Sequence, residues 1–238
     1  MRSPMLHTLQ PIAAGITGLL FGLEFLLVGE SLRLTSAAHV VVFLYTAPFM
    51  IALGAHWFLP GEKLRPRQWL GLACAFAGIL AAFGESLGLP TRSQLLGDGM
   101  LLLAAVLWAA TTLVIKGSVL ATVSPAKTLF YQLAGSALVL PCVSLALGEP
   151  GIIALTPLVL ASLAYQIVLV AFVSYLAWFW LVATYPAGRL AAFSFLTPLF
   201  GVLAGALLLG ERISPALAVA LGLVALGIWL VNRPPKAP

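Results

Sequence analysis

The sequence predicts an all-α membrane protein whose eight transmembrane helices derive from an inverted five-helix repeat, present as three helices plus five. The first observation is composition, since 62% of the residues are hydrophobic and 8% are charged, whereas soluble domains carry about 25% charged residues. The second is a series of eight apolar runs long enough to cross a bilayer. The third is a proline–glycine–glutamate pattern that occurs twice.

The apolar runs are predicted as helices because lipid cannot hydrogen-bond an open backbone, whereas a helix satisfies its own backbone groups. About 20 helical residues cross a hydrocarbon core about 30 Å thick, and strand-like alternation is absent from these runs. The predicted spans are residues 11–29, 37–59, 68–84, 97–116, 126–147, 157–182, 190–209 and 215–231. The first run is long for a signal peptide and lacks a small-x-small cleavage site, so a permanent helix is predicted.

The repeated pattern reads Pro, a small-residue apolar run, Gly-Glu-x-(Leu/Ile)-x-Pro, a second apolar run and Gly-Ile. Its two copies cover residues 48–79 and 198–228. The matched pairs are Pro48/Pro198, Gly61/Gly210, Glu62/Glu211, Leu64/Ile213, Pro66/Pro215 and Gly78/Gly227. Five predicted crossings separate the copies, so they are expected to lie in the membrane with opposite orientation, like the inverted repeats of many secondary transporters.

Basic residues give the predicted orientation. The net charge of +5 would suit a nucleic acid, but its distribution along the chain indicates membrane topology instead. With eight crossings, the side that holds the N-terminus carries Arg2, Lys63, Arg65, Arg67, Lys116, Lys127, Arg189, Arg233 and Lys236, and the other side carries Arg33, Arg92 and Arg212. This positive-inside asymmetry predicts a multi-pass protein of the inner membrane with both termini in the cytoplasm. Lipid is its expected surrounding, and no nucleic-acid partner is expected.

The predicted helix count implies an incomplete first repeat. Helices four to eight make one five-helix unit, whereas three predicted helices precede Gln94. The chain is therefore expected to lack the first two helices of its first unit. A misassigned start codon, a natural short form and a truncated chain all stay open as the cause.

These motifs, in this order, resemble those of a known family. The matching residues are Ala47-Pro48 with Gly61-Glu62-x-Leu64, Thr197-Pro198 with Gly210-Glu211-x-Ile213, Gly78-Ile79, Gly227-Ile228 and the stretch from Leu101 to Lys116. They resemble the drug/metabolite transporter superfamily, in its ten-helix branch with two EamA-type domains. The resemblance implies an incomplete first EamA-type repeat over residues 1–92 and a complete second one over residues 93–238.

The resemblance also implies a function. It implies a secondary transporter that moves a small metabolite, such as an amino acid, a sugar or a nucleotide derivative, across the cytoplasmic membrane by alternating access. Export is the expected direction, and no cofactor is expected. A homodimer is left open as its assembly.

Pro48 and Pro198 stand within their predicted spans. Proline has no N–H and clashes with the preceding turn, so it frees carbonyl groups that need partners in lipid. The polar residues beside the two prolines are Tyr45, Thr46, Ser194 and Thr197. One interpretation is a pair of kinked helices that line a substrate cavity, because matched discontinuous helices mark transporter sites. The other is a pair of ordinary kinks whose carbonyls bond to these hydroxyls.

Glutamates divide into two groups. Glu24 stands well inside an apolar run, where a carboxylate is costly and often relays protons. Glu24 is therefore a candidate for proton coupling, and the other interpretation is a structural carboxyl towards the outer side. Glu62 and Glu211 stand four residues before a proline at a helix junction, so they are predicted to cap the helix that follows.

Aromatic residues predict a further part of the cavity. Tyr165, Phe172 and Phe179 are spaced by seven residues and are expected to share one helical face. Together with this face, Trp108, Tyr131 and Gln132 are predicted to line an apolar substrate path. Lipid contact or helix packing is the alternative.

Other classes of protein lack support in the sequence. The chain contains no His-Glu-x-x-His, no Gly-x-Ser-x-Gly and no paired intramembrane acids, so an enzyme is not expected. Cys74 and Cys142 lie in different predicted spans without metal-ligand spacing, so no metal site is expected. The rival hypothesis is a truncated or non-transporting membrane subunit that needs a partner chain.

Overall fold

The computed structural model describes residues 4–84, 89, 91–151, 153–209 and 215–233. Every regular element within these ranges is helical, so the predicted all-α class is confirmed. Six segments are long and apolar enough to cross a membrane: Gln10–Ser31, Ala37–Phe58, Pro66–Phe83, Arg92–Gly117, Pro125–Ala146 and Pro157–Thr184. A shorter apolar helix covers Ala218–Asn232. The protein is therefore a multi-pass membrane protein, and the crossing number of eight stays a prediction.

Three of the predicted spans are each divided in the structure. The α-helices are α1 (Pro4–Ser31), α2 (Ala37–Leu44), α3 (Ala47–Phe58), α4 (Pro66–Phe83), α5 (Arg92–Gly117), α6 (Pro125–Ala146), α7 (Pro157–Tyr165), α8 (Tyr175–Thr184), α9 (Ala187–Ser194), α10 (Leu196–Leu209) and α11 (Pro215–Asn232). A short 3-10 helix covers Val119–Thr122, and a π-helical segment, Gln166–Ser174, joins α7 to α8.

Helix starts follow from local chemistry. Hydroxyls of Ser36 and Thr156 accept hydrogen bonds from backbone N–H groups three residues later, at 3.5 and 3.3 Å, which satisfies donors that a first turn leaves free. Pro66, Pro125 and Pro157 occupy the first position of their helices, where a missing N–H costs nothing.

The chain forms two compact units. One contains Met1–Leu26 and Val114–Tyr185, and the other contains Leu27–Leu113 and Pro186–Pro238. Each unit takes segments from both sides of the predicted repeat boundary at residues 92 and 93. Compact units and sequence repeats are thus different divisions of this chain, and the repeat boundary stays a prediction.

The second unit is built around the close contact of α4 and α11. A Cβ atom added to Gly71 would lie 2.7 Å from the carbonyl oxygen of Gly227, and one on Gly78 would lie 2.8 Å from that of Ala220. Small residues allow this approach of two backbones, which gives van der Waals packing where lipid supplies no hydrophobic drive. The fully buried side chains around it are Leu72, Ile79, Phe195, Leu199, Val224 and Val231.

The first unit uses a similar contact between α1 and α6. A Cβ atom on Gly135 would lie 2.6 Å from Cα of Gly18. Further along α1, Phe21 packs edge-on against Tyr175 of α8, with ring centroids 5.3 Å apart. Glycine seams and aromatic contacts therefore hold the helices together inside each unit.

Candidate functional site

Two helices of the second unit are interrupted at matched places. The first break separates α2 from α3 at Tyr45 and Thr46, and the second separates α9 from α10 at Phe195. Buried Pro48 and Pro198 follow the breaks by two and three residues. Proline cannot donate to the carbonyl four residues earlier and clashes with the preceding turn, which favours a kink or a break at these places.

Two of the predicted hydroxyls bond within their own helix. Thr46 donates from Oγ1 to the carbonyl oxygen of Phe43 at 2.7 Å. Buried Ser194 donates from Oγ to the carbonyl oxygen of Leu190 at 3.2 Å. Neither acceptor is the carbonyl four residues before a proline, which belongs to Leu44 for Pro48 and to Ser194 for Pro198, so these contacts do not decide between the two interpretations.

Tyr45 and Thr197 make a different kind of contact. Their polar side chains lie near each other, which brings the break before Pro48 close to the break before Pro198. The ring of Tyr45 meets Trp108 of α5 edge-on, with centroids 5.9 Å apart at 88°. The sequence predicted each of these residues, and the structure brings Tyr45, Thr197 and Trp108 together in one unit.

Tyr131 and Gln132 lie on α6 in the first unit. The hydroxyl of Tyr131 accepts a hydrogen bond from Nε2 of Gln10 at 2.7 Å. Gln132 is fully buried, and within the described residues neither its Oε1 nor its Nε2 has a hydrogen-bond partner. The buried hydroxyl of Ser136, one turn later, is also unpartnered among the described residues. A buried amide without a partner is costly.

Tyr165 lies on an open surface groove beside Gln166, and it is 58% exposed. The expected shared face of Tyr165, Phe172 and Phe179 is wrong, since Phe172 is 57% exposed whereas Phe179 is 3% exposed. The π-helical segment lies between them. Its i→i+5 hydrogen bonds widen each turn, so residues seven apart no longer point the same way.

Glu24 is buried in the first unit, with 8% of its surface exposed. Within the described residues its carboxyl makes no hydrogen bond or ion pair. Its neighbours on α1, Phe21 and Phe25, have ring centroids 4.9 Å apart and tilted ring planes. An ionised carboxylate is costly in apolar surroundings.

A buried polar cluster in the second unit has a member that sequence analysis missed. Asp98 accepts hydrogen bonds at Oδ1 from Nδ1 of His39 at 2.8 Å and from Oγ1 of Thr35 at 3.3 Å. His39 and Asp98 are 3% and 6% exposed. Asp98 stands at the edge of its predicted span, where an acid is normally solvated. Its only sequence signal is Gly97, which is needed because a Cβ there would lie 3.1 Å from Thr35.

Glu62 is a helix cap, but the helix is not the one predicted. Its Oε2 accepts a hydrogen bond at 2.5 Å from the backbone N–H of Ala187, at the start of α9. Gly61 has a φ of +84°, a left-handed conformation that glycine adopts without strain, and it turns the chain towards α9. The start of α4 is served instead by Gln68, which accepts from the N–H of Arg65 at 3.0 Å. Gly210, Glu211 and Ile213 lie outside the described residues.

Metal-ligating residues do not gather in the part of the chain that the structure describes. No group of three His, Cys, Asp or Glu side chains there could hold a metal ion. The arrangement around Tyr45 instead offers two hydroxyls and two aromatic faces, which suit non-covalent binding of a small molecule.

Comparison with known proteins identifies relatives over most of the chain. An uncharacterised transporter of Archaeoglobus fulgidus is 24% identical over 233 residues, which are 97% of this chain and 77% of that protein. A probable amino-acid metabolite efflux pump of Escherichia coli is 28% identical over 189 residues, which are 76% of this chain and 62% of that protein. The chain thus spans less than two thirds of the second relative.

A solved crystal structure shares the fold, with a TM-score of 0.77 and 26% identity over 93% of this chain and 75% of that one. The model of the EamA-like transporter family matches residues 2–84 and 95–233. These names describe transporters rather than enzymes. Since the two matched segments cover nearly all of the sequence, the chain belongs to the EamA-like transporter family and is a membrane transporter of the drug/metabolite type.

Proposed function

We propose that this protein is a secondary transporter that exports a small metabolite across the inner membrane by alternating access. The observation that carries the proposal is the proximity of the Tyr45 and Thr197 side chains. These residues lie at two broken helices, one from each copy of the repeated pattern. Broken helices at matched positions of two repeats are where transporters bind their substrates.

The chemistry of this place favours a substrate with both polar and apolar parts. The hydroxyls of Tyr45 and Thr197 can each donate a hydrogen bond to a polar group or accept one from it. The rings of Tyr45 and Trp108 offer π faces that attract an ammonium group or cover an apolar side chain. Amino acids and their metabolites are the first substrates to test, because the Escherichia coli relative is named as a pump for them.

The orientation proposed with this function follows from the basic residues. Both termini lie in the cytoplasm, and eight crossings arise from an inverted repeat of three plus five helices. Substrate would enter from the cytoplasm, bind at Tyr45 and Thr197 and leave on the other side after the two repeats change their relative tilt.

Cysteine accessibility tests the site. After Cys74 and Cys142 are replaced by serine, Tyr45→Cys and Thr197→Cys should each react with a small membrane-impermeant thiol reagent in membrane vesicles. A transported amino acid should slow both reactions, because it occupies the same cavity. Ala52→Cys is the control, since Ala52 of α3 is completely buried and should stay unreactive. If no transported compound slows the reaction of the thiol reagent at either position, the site lies elsewhere.

Transport by the purified chain distinguishes two hypotheses: that the chain transports alone, and that it needs a partner chain. When a complete transporter is reconstituted alone in liposomes preloaded with an amino acid, these liposomes should release the amino acid faster than protein-free liposomes do. Release that appears only when a second membrane protein is added would favour the alternative, a non-transporting subunit that needs a partner chain.

Glu24 is proposed as the proton-coupling residue. Glu24→Gln should abolish the acceleration of transport by an imposed proton gradient, because the amide cannot gain or lose a proton, while counterflow without a gradient persists. Glu30→Gln is the matched control on the same helix, since Glu30 forms an ion pair with Arg33 at 3.3 Å on the surface. If Glu24→Gln transport still responds to the gradient as the parent does, Glu24 is structural.

A further inference from the structure

A basic cleft lies in the second unit, away from the broken helices. Its volume is about 260 Å³, and three segments surround it: residues 61–68 before and within α4, residues 186–189 at the start of α9, and Val231 and Arg233 at the end of α11. The cationic residues that line it are Lys63, Arg65, Arg67, Arg189 and Arg233. Glu62 is the single acid among its lining residues.

The charge of this cleft is far from balanced. Five cations face one carboxylate, and that carboxylate also caps α9 through the N–H of Ala187. Arginine guanidinium groups match the oxygens of phosphate with paired hydrogen bonds. The lining is therefore suited to an anion with several oxygens.

The walls of the cleft are tied together by specific bonds. Arg67 donates from its guanidinium to the carbonyl oxygen of Arg233, and Gln68 donates to that of Val231 at 3.3 Å. These bonds satisfy carbonyls at the end of α11, which would otherwise repel an anion. The guanidinium of Arg233 also stacks over the ring of Trp229 at 4.8 Å.

The remaining wall is held by the loop before α4. The N–H of Leu64 donates to Nδ1 of His56 at 2.9 Å. Leu64 also packs on Gly188, where an added Cβ would lie 2.7 Å from its Cδ2. The cations on this loop therefore project from a fixed backbone into one concavity.

Membrane topology explains part of this pattern but not all of it. The positive-inside rule accounts for basic residues in cytoplasmic loops. It does not require cations from three distant segments to converge on one cleft. Basic pockets on the cytoplasmic side of membrane proteins bind lipid headgroups, and 260 Å³ lies just below the range of about 300–1,000 Å³ for drug-sized ligands.

We propose that this cleft binds a phosphate-bearing anion. The source of the phosphate is either the headgroup of an anionic phospholipid or a small soluble phosphate compound. This site is separate from the proposed substrate cavity and does not depend on the direction, substrate or coupling of transport.

The experiment measures binding to the purified full chain in detergent, by its thermal unfolding midpoint and by native mass spectrometry. Phosphatidylglycerol, phosphatidylcholine and inorganic pyrophosphate are added separately. We expect phosphatidylglycerol or pyrophosphate, but not zwitterionic phosphatidylcholine, to raise the unfolding midpoint and to stay bound. Phosphatidylglycerol alone would indicate a lipid headgroup, whereas competition by pyrophosphate would indicate a soluble phosphate.

A charge-matched pair of variants tests the location. The double variant Arg65→Gln with Arg189→Gln should weaken binding about tenfold or more. Both side chains are exposed, so its unfolding midpoint without ligand should equal that of the parent. Arg33→Gln with Arg92→Gln removes the same charge elsewhere and should leave binding unchanged. The proposal would be overturned if both double variants bound as well as the parent or lost binding equally. It would also be overturned if the parent bound neither phosphate compound.

Discussion

Replacing Gly227 by valine is expected to separate α4 from α11 and to cost more stability than any other single change considered for this chain. A Cβ atom at Gly227 would lie 2.5 Å from the carbonyl oxygen of Gly71 and 2.8 Å from both the backbone nitrogen and Cβ of Ala75. Overpacking typically costs about 1–3 kcal/mol and sometimes more. Here the clashing atoms belong largely to backbone, which cannot rotate away, so a loss of about 3 kcal/mol or more is expected.

The measurement is the apparent unfolding midpoint in detergent, together with the yield of monodisperse protein. Gly222→Val is the matched control, because Gly222 lies on the same helix and a Cβ there would have no atom within 4 Å. Gly71→Val should resemble Gly227→Val, since it meets the same contact from the other helix. Equal midpoints for Gly227→Val and Gly222→Val would show that the two helices do not touch there.

Tyr45→Ala is expected to reduce transport about 30-fold. It removes a hydroxyl that can hydrogen-bond to substrate and the ring that meets Trp108. One hydrogen bond and one aromatic contact are each worth about 1 kcal/mol, and a sum of about 2 kcal/mol corresponds to about 30-fold. Tyr45→Phe keeps the ring and should lose about tenfold.

Initial rates in proteoliposomes with equal amounts of folded protein give the comparison. Trp57→Ala is the control, because it deletes an equally large ring from α3 at a position that is 67% exposed. Its transport should stay near the parent rate. If Tyr45→Ala also transports at the parent rate, Tyr45 and Thr197 are part of the scaffold rather than of the binding site.

Much of the fold could be predicted because its causes are local. Apolar runs define the helices, and Pro48 and Pro198, which lack an N–H, favour a kink or a break in two of them. Tyr45 and Thr197 were found for the same reason, since they stand near the prolines. Local chemistry could not say which of the neighbouring hydroxyls would approach another helix and which would bond to a nearby carbonyl.

The features that sequence analysis missed depend on tertiary contacts or on helix type. Asp98 meets His39 only after the turn at Thr35 packs against Gly97, and these residues are far apart along the chain. Glu62 reaches Ala187 across a still longer separation. The π-helical segment has no sequence signal of its own. The shared face expected for Tyr165 therefore assumed α-helical turns, which this segment does not have.

The glycine seam between α4 and α11 has a mechanical consequence. Side chains that interdigitate can change rotamers and let two helices slip, but at Gly71 and Gly227 the two backbones touch directly. Sliding one helix past the other would drive carbonyl groups into neighbouring residues, so the pair is expected to move as one rigid body. Motion during transport would then be concentrated in other helices, at the interruptions beside Tyr45 and Phe195.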